Sequence, residues 1–227
     1  DPTFFLSYYN PNIIGRENLF IGSTINYSDI SNKSPTAQEL YGAAFSQKVI
    51  GANLTFGKRF GLFNRLYINS GYSYIETPFY IPGINASNDR IDNLVSFGIG
   101  FEHDTRDLKQ FPKNGIYSSL IYSLKGLGFD NISYSVAAID FREYRKLFDG
   151  LVGKWRIASR FTFGDDVPYY DYSIIGNDEK IRGHYFEKFE GDDYYIASAE
   201  IYYPIIEELN VDLTFIPIIP DQLLSYR

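Results

Sequence analysis

The sequence predicts an all-β protein, a transmembrane antiparallel up-and-down β-barrel. Three observations carry that expectation. The first is composition: 44% of the 227 residues are hydrophobic and 18% are aromatic, with 21 Tyr and 19 Phe against one Trp, yet mean hydropathy is only -0.22. No run approaches the roughly 18 consecutive apolar residues that a membrane-crossing helix needs. Abundant aromatics with modest hydropathy fit a barrel whose apolar band faces lipid between aromatic girdles while its other face lines a polar lumen. The second is period-two alternation along most of the chain, and the third is a rhythm of short and long links between the alternating segments.

Taken in order, the strands fall at about 3–9, 17–28, 45–57, 64–76, 92–104, 115–126, 131–146, 151–164 and 193–205, which gives nine, and a tenth begins at 223–227. In the second, Leu19, Ile21, Ile25 and Tyr27 share one face and Gly22, Thr24 and Asn26 the other. In the fourth, Leu66, Ile68, Tyr72 and Tyr74 oppose Arg65, Asn69, Gly71 and Ser73. Val95, Phe97, Ile99 and Phe101 alternate with Ser96, Gly98, Gly100 and Glu102. The eighth sets Trp155, Ile157, Phe161 and Phe163 against Lys154, Arg156, Ala158, Arg160 and Thr162. The ninth sets Tyr195, Ala197, Ala199, Ile201 and Tyr203 against Ile196, Ser198, Glu200 and Tyr202.

The polar faces decide between a barrel and a soluble sandwich. A sandwich turns its outer face to bulk water and carries mostly Lys, Glu and Thr there. Here the polar faces are rich in Gly, Ser and Ala with an occasional Arg or Glu. The runs also reach the length of about 9–11 residues that a tilted strand needs to cross a bilayer, against about 5–6 in soluble proteins. Short links such as KRFGLFN alternate with long ones such as SDISNKSPTAQELYG, and the longest, at 165–192, falls on the external side by this count.

Other classes are disfavoured. A net charge of -7 argues against nucleic acid, whose phosphates call for a basic face. Without cysteine there is no disulfide framework and no thiolate nucleophile. His103 and His184 are the only histidines; His103 lacks a nucleophile elbow beside it, and neither belongs to a metal-spaced cluster. No catalytic residue, metal or cofactor is expected. The chain starts Asp1-Pro2, contains no methionine, and ends in a tail (NVDLTFIPIIPDQLLSYR) whose two prolines break the alternation. An odd strand count with a strand cut short leads to the expectation of an internal barrel segment.

Two stretches carry a family resemblance. FEHDTRDLKQFPKNG, at 101–115, resembles the D-x-R-D…F-P-x-x-G signature of the Omp85 superfamily. IRGHY, at 181–185, followed by YYIASAEIYYPI at 194–205, is similar to that superfamily's V/I-R-G-F/Y motif and the strand after it. The opening FFLSYYNPNIIGRENL also looks like an earlier hairpin of the same barrels. In order and spacing the three match the surface-antigen barrel of BamA- and TamA-like proteins.

The resemblance implies a sixteen-stranded barrel in the bacterial outer membrane, of which this chain holds about nine to ten strands, with residues 1–227 a partial barrel domain and no POTRA domain in the chain. It implies a role in folding and inserting other outer-membrane β-barrel proteins. The partners implied are outer-membrane lipid, nascent barrel clients, and POTRA domains or accessory lipoproteins. A polypeptide-secretion pore or passenger-fused barrel, and a passive porin, remain the alternatives. The resemblance also implies that the external loop bearing Ile181, Arg182, Gly183 and Tyr185 folds back into the lumen. Glu200, which strand phase alone puts on the inner face, is then the expected partner of Arg182; without the motif, Arg182 reads as a solvated charge among Asp178, Glu179, Lys180, Glu187, Lys188 and Glu190. In the periplasmic turn, Asp104, Arg106 and Asp107 are expected to cross-link the chain while Phe111, Pro112 and Gly115 set its geometry. Lys154, Arg156 and Arg160 line one inward face and read equally as attractors of the acidic loop or as wetted lumen charges.

Overall fold

The computed structural model describes residues 2–32, 34–42, 44–80, 84–164, 167–176 and 189–203. Nine strands form one antiparallel sheet: β1 (Thr3–Asn10), β2 (Leu19–Ser31), β3 (Ser46–Phe60), β4 (Asn64–Glu76), β5 (Ile91–Asp104), β6 (Gly115–Lys125), β7 (Tyr134–Phe148), β8 (Leu151–Phe163) and β11 (Tyr194–Tyr202). Each pairs with its neighbours in the chain, except that a two-stranded ribbon, β9 (Ser173–Ile175) with β10 (Phe189–Gly191), lies between β8 and β11. β1 and β11 are the edges of the described sheet.

The side chains are distributed inversely to those of a soluble domain. On one face Ile25, Leu54, Ile68, Ile99, Leu120, Ile157 and Ile201 stand open to the surroundings, Ile201 with 69% of its surface exposed. An apolar belt of that extent is stable only where the solvent is itself apolar, as in a lipid bilayer. The opposite, inner face is built from small and polar residues. Directly paired rows there repeat one pattern: Asn26–Gly51–Ser73, Asn53–Gly71–Ser96 and Asn69–Gly98–Ser123. Each glycine has a reason. A Cβ on Gly51, Gly71 or Gly98 would lie 2.3–2.5 Å from the neighbouring asparagine Oδ1, so the missing side chain is what lets the amide lie across the wall.

The packed apolar cores sit at the long-loop end of the sheet, one of them on the ends of β4, β5 and β7. One joins Ile75, Leu94, Ile132, Tyr134 and Val136; the other joins Ala37, Phe45, Ile84 and Tyr169. The helix α1 (Pro35–Tyr41) belongs to this dome. It starts because Ser34 Oγ accepts from the Ala37 amide and Pro35 supplies a pre-set φ; it stops at Gly42, with φ +83°. Together these loops position the inner-wall site.

Candidate functional site: the inner wall and the loop it holds

Strand phase puts Lys125 of β6, Asp140 and Arg142 of β7, Lys154, Arg156 and Arg160 of β8 and Glu200 of β11 on the inner face. Lys154, directly paired with Glu200, donates from Nζ to its Oε1 at 2.9 Å. Asp140 on β7 accepts from Arg142 Nε and Nη2 at 2.9 and 2.6 Å and from Arg156 Nη2 at 2.8 Å. The Arg142 guanidinium lies 5.3 Å from the centre of the Tyr117 ring. One carboxylate thus serves two guanidiniums. Towards β4, Arg65 Nη2 donates to Glu102 at 2.8 Å.

The loop between β8 and β11 is tied to this wall. After Phe163 the chain makes a short 3-10 turn, Tyr169–Asp171, whose last residue turns its carboxylate to three strands. Lys125 Nζ, at the end of β6, donates to Asp171 Oδ1 at 2.8 Å; Tyr134 Oη, at the start of β7, donates to Oδ2 at 2.9 Å. Arg160 Nη2, on β8, donates to Oδ2 at 2.6 Å, and its Nη1 reaches Ser173 Oγ at 2.9 Å. Charge-assisted bonds of this length, with the three ionic side chains only 13–22% exposed, are stronger than surface pairs. The returning limb has its own tie, since Glu190 Oε2 accepts from Ser34 Oγ at 2.8 Å and from the Thr36 amide at 3.1 Å, at the start of α1.

Lys154, Arg156 and Arg160 therefore divide their work: Arg160 holds the loop, while Lys154 and Arg156 pair within the wall. Ile181, Arg182, Gly183 and Tyr185 lie outside the described residues. Glu200 stands on the inner face, about one-third exposed and bonded to Lys154.

In the turn at the opposite end, two of the predicted residues meet directly, Asp104 and Arg106. Arg106 clasps Asp104 through Nε and Nη2 at 2.8 and 2.9 Å and lies 4.6 Å from the Tyr117 ring centre. Beyond the last outward apolar residue of β5, the side-chain bond from Arg106 holds the Asp104 carboxyl below its ordinary range, and the same bond raises Arg106. Asp107 accepts from the amides of Leu108, Lys113 and Asn114. Pro112 is buried, and its carbonyl accepts from the Tyr202 hydroxyl on β11. Phe111 is 75% exposed. Gly115, with φ +114°, would place a Cβ 2.4 Å from the Thr105 carbonyl oxygen. His103 lies on the outer face with Nδ1 2.8 Å from Asn64 Oδ1, and no metal-ligand cluster occurs among the described residues.

Asp171, Lys125, Tyr134, Asp140 and Glu190 are the site residues that the sequence reading missed. Period-two phase along β7 was signal enough for Asp140, which shares a face with Val136 and Arg142. No local signal marked Asp171.

The pattern of the Omp85 superfamily domain matches residues 1–215. Among solved structures, the chain is similar to the crystal structure of BamA from Haemophilus ducreyi lacking POTRA domains 1–3. The TM-score is 0.63 at 22% identity, over 80% of this chain and 37% of that one. At that identity the likeness speaks for the fold alone, and this chain spans 37% of that structure's length. A search of the curated proteins gave no match.

Proposed function

The chain belongs to the Omp85 superfamily, with residues 1–215 matched, and on that premise we propose that it folds and inserts other β-barrel proteins into the bacterial outer membrane. The family is one of non-enzymatic β-barrels of that membrane, and the nine-stranded sheet matches part of a BamA barrel. The proposed domain reading is that these 227 residues are the middle of a sixteen-stranded barrel that works with POTRA domains or accessory lipoproteins. The physical problem such a protein addresses is that a client strand entering lipid carries unpaired N–H and C=O groups, each costing kcal/mol to bury. A barrel that offers strand edges and thins the bilayer around it lowers that barrier.

The observation that carries the reading is the inner-wall docking of the loop that bears Arg182, through Asp171 on its ascending limb. The alternative is a passive channel in which the same loop acts only as a constriction. As part of the same proposal, Arg182 reaches Glu200 and shares it with Lys154. The test is client folding in liposomes by the full-length protein and by Arg182→Ala. Faster client folding that the substitution impairs is expected. A mutant with full activity and full barrel stability would sink the Arg182–Glu200 contact. Large, steady ion conductance with no folding activity would identify a channel instead.

A further inference from the structure

We propose that the outer face of the sheet carries a phospholipid site, with one acyl chain in a groove of the apolar belt and the headgroup phosphate on Lys58. The site lies on the lipid face of the barrel, so it stands whether or not the protein assembles clients. The groove has a volume of about 480 Å³ and takes its lining from β4 to β8, with Leu66, Phe101, Leu120 and Ala137 among its residues. That volume is ample for a specific ligand, since such sites run from roughly 300 to 1,000 Å³. Its origin is one directly paired row, Ile99–Tyr122–Ala137–Phe161, which sets a single methyl group between two rings. An apolar groove on a face turned to lipid fits a hydrocarbon chain.

The groove runs into a polar row at its short-link end. On three adjacent strands the residue two positions beyond a groove residue, on the same face, is polar: Asn64 beyond Leu66, His103 beyond Phe101, and Ser118 beyond Leu120. These three are directly paired with one another and lie two residues of strand, about 7 Å, from the groove. Phe60 of β3 extends the row, paired with Asn64. Lys58 stands in the apolar row, between Leu19 and Leu66, but leans over the Phe60 ring with Nζ 5.1 Å from its centre, which brings the ammonium towards the polar row. His103 orders the row: its Nδ1 lies 2.8 Å from Asn64 Oδ1, an oxygen that can only accept, so Asn64 Nδ2 faces β3, 3.4 Å from the Phe60 carbonyl. An ammonium, an amide and the Ser118 hydroxyl thus offer donors where the apolar belt ends. That is the depth of a lipid phosphate, and donors that include a cation are what hold one. Other cations of the outer face are already neutralised: Arg145 by Glu143 at 2.7 Å, Arg90 by Glu76 at 2.9 Å, and Lys48 between Asp29 and Glu76. Among the described residues no carboxylate pairs with Lys58.

The experiment is native mass spectrometry of the delipidated full-length protein in detergent, titrated with phosphatidylglycerol, with a diacylglycerol of the same chains, and with inorganic phosphate. One phosphatidylglycerol is expected to bind several-fold more tightly than the diacylglycerol or inorganic phosphate. Lys58→Gln is expected to weaken phosphatidylglycerol several-fold and leave the diacylglycerol unchanged, whereas Lys48→Gln alters neither. Ala137→Phe, which fills the groove, is expected to weaken both lipids several-fold. Ala52→Phe adds the same bulk elsewhere on the belt, between Ile25 and Tyr72, and is expected to weaken neither. Equal binding by Ala137→Phe and Ala52→Phe overturns the proposal, as does phosphatidylglycerol binding that Lys58→Gln leaves intact. Inorganic phosphate held as tightly as the lipid overturns it too. A concentration-dependent dimer that Ala137→Phe abolishes would mean that a second copy covers the groove, which also overturns it. If Ala137→Phe does not fold, photolabelling of the parent by phosphatidylglycerol with a diazirine on one acyl chain decides: labels confined to strands other than β4 to β8 overturn the proposal. Client folding is measured separately, and its failure would leave the lipid result standing.

Discussion

The two halves of the inner wall solve the same packing problem in opposite ways. Across β2 to β5 the wall repeats rows of Asn, Gly and Ser, in which a buried glycine makes room for the amide beside it. Across β6 to β8 and β11 it repeats ion pairs: Asp140 with Arg142 and Arg156, Glu200 with Lys154, Asp171 with Lys125 and Arg160. The glycine rows are held by shape, with the Arg65–Glu102 ion pair beside them at the short-link end of β4 and β5. The charged half is held by mutual neutralisation, so each group depends on its partner's presence. The charged half grips one limb of the loop through Asp171, while Glu190 on the returning limb is held by the neutral Ser34 hydroxyl and Thr36 amide.

The largest break in this comparison comes from removing one acid. Asp140→Ala leaves Arg142 and Arg156 side by side; with the carboxylate 21% exposed, the cost falls somewhat short of the about 3–5 kcal/mol of a fully buried pair. Equilibrium unfolding in detergent or lipid measures it. In the glycine half, Gly57→Ala comes next. Its Cβ would lie 2.3 Å from the Phe20 ring and 2.8 Å from the Leu66 carbonyl oxygen, an overpacking worth about 1–3 kcal/mol. Gly71→Ala, by contrast, meets only the ends of Asn53 and Ser96. Its net effect stays within about 1 kcal/mol of zero, since the unfolded chain also loses freedom.

Salt sharpens the contrast. Raising ionic strength from about 0.05 to about 1 M should shrink the Asp140→Ala cost and leave the Gly57→Ala cost unchanged. Equal responses would mean that the two halves do not differ in kind. The smallest effect belongs to the far turn. Asp104 has a lowered carboxyl pKa in the folded state, chiefly through its Arg106 bond, so its contribution is fully present above its unfolded value, about 3.9, and lost as pH falls through the folded one. The melting difference between parent and Asp104→Asn should therefore be constant at neutral pH and vanish in acid.

The strands were legible because period two is a local property: the nine main strands lie where alternation put them, most within two or three residues. The start of β7 is later than its apolar run suggested because Phe129–Asn131 forms a tight turn, with Leu127, Asp130 and Asn131 at positive φ. The helix α1 has seven residues, two turns at most, and so leaves no readable 3.6 period inside a polar stretch. The ribbon strands β9 and β10, of three residues each, are shorter still. Glu200 was legible because its strand fixes its face. Asp171 was not, because its partners lie 46, 37 and 11 residues away and only the fold brings them together.

The ties that hold the dome also set an order of events in folding. Neighbouring strands close small loops and can pair one hairpin at a time, at little entropic cost. The Ser34–Glu190 and Gln47–Tyr169 bonds join residues 156 and 122 apart, so they can form only after most of the sheet exists. The dome is thus the last part of this chain to assemble and, on unfolding, the first that can come undone with every hairpin intact. Refolding followed strand by strand should show a sheet already built before protease at the long-loop end is excluded.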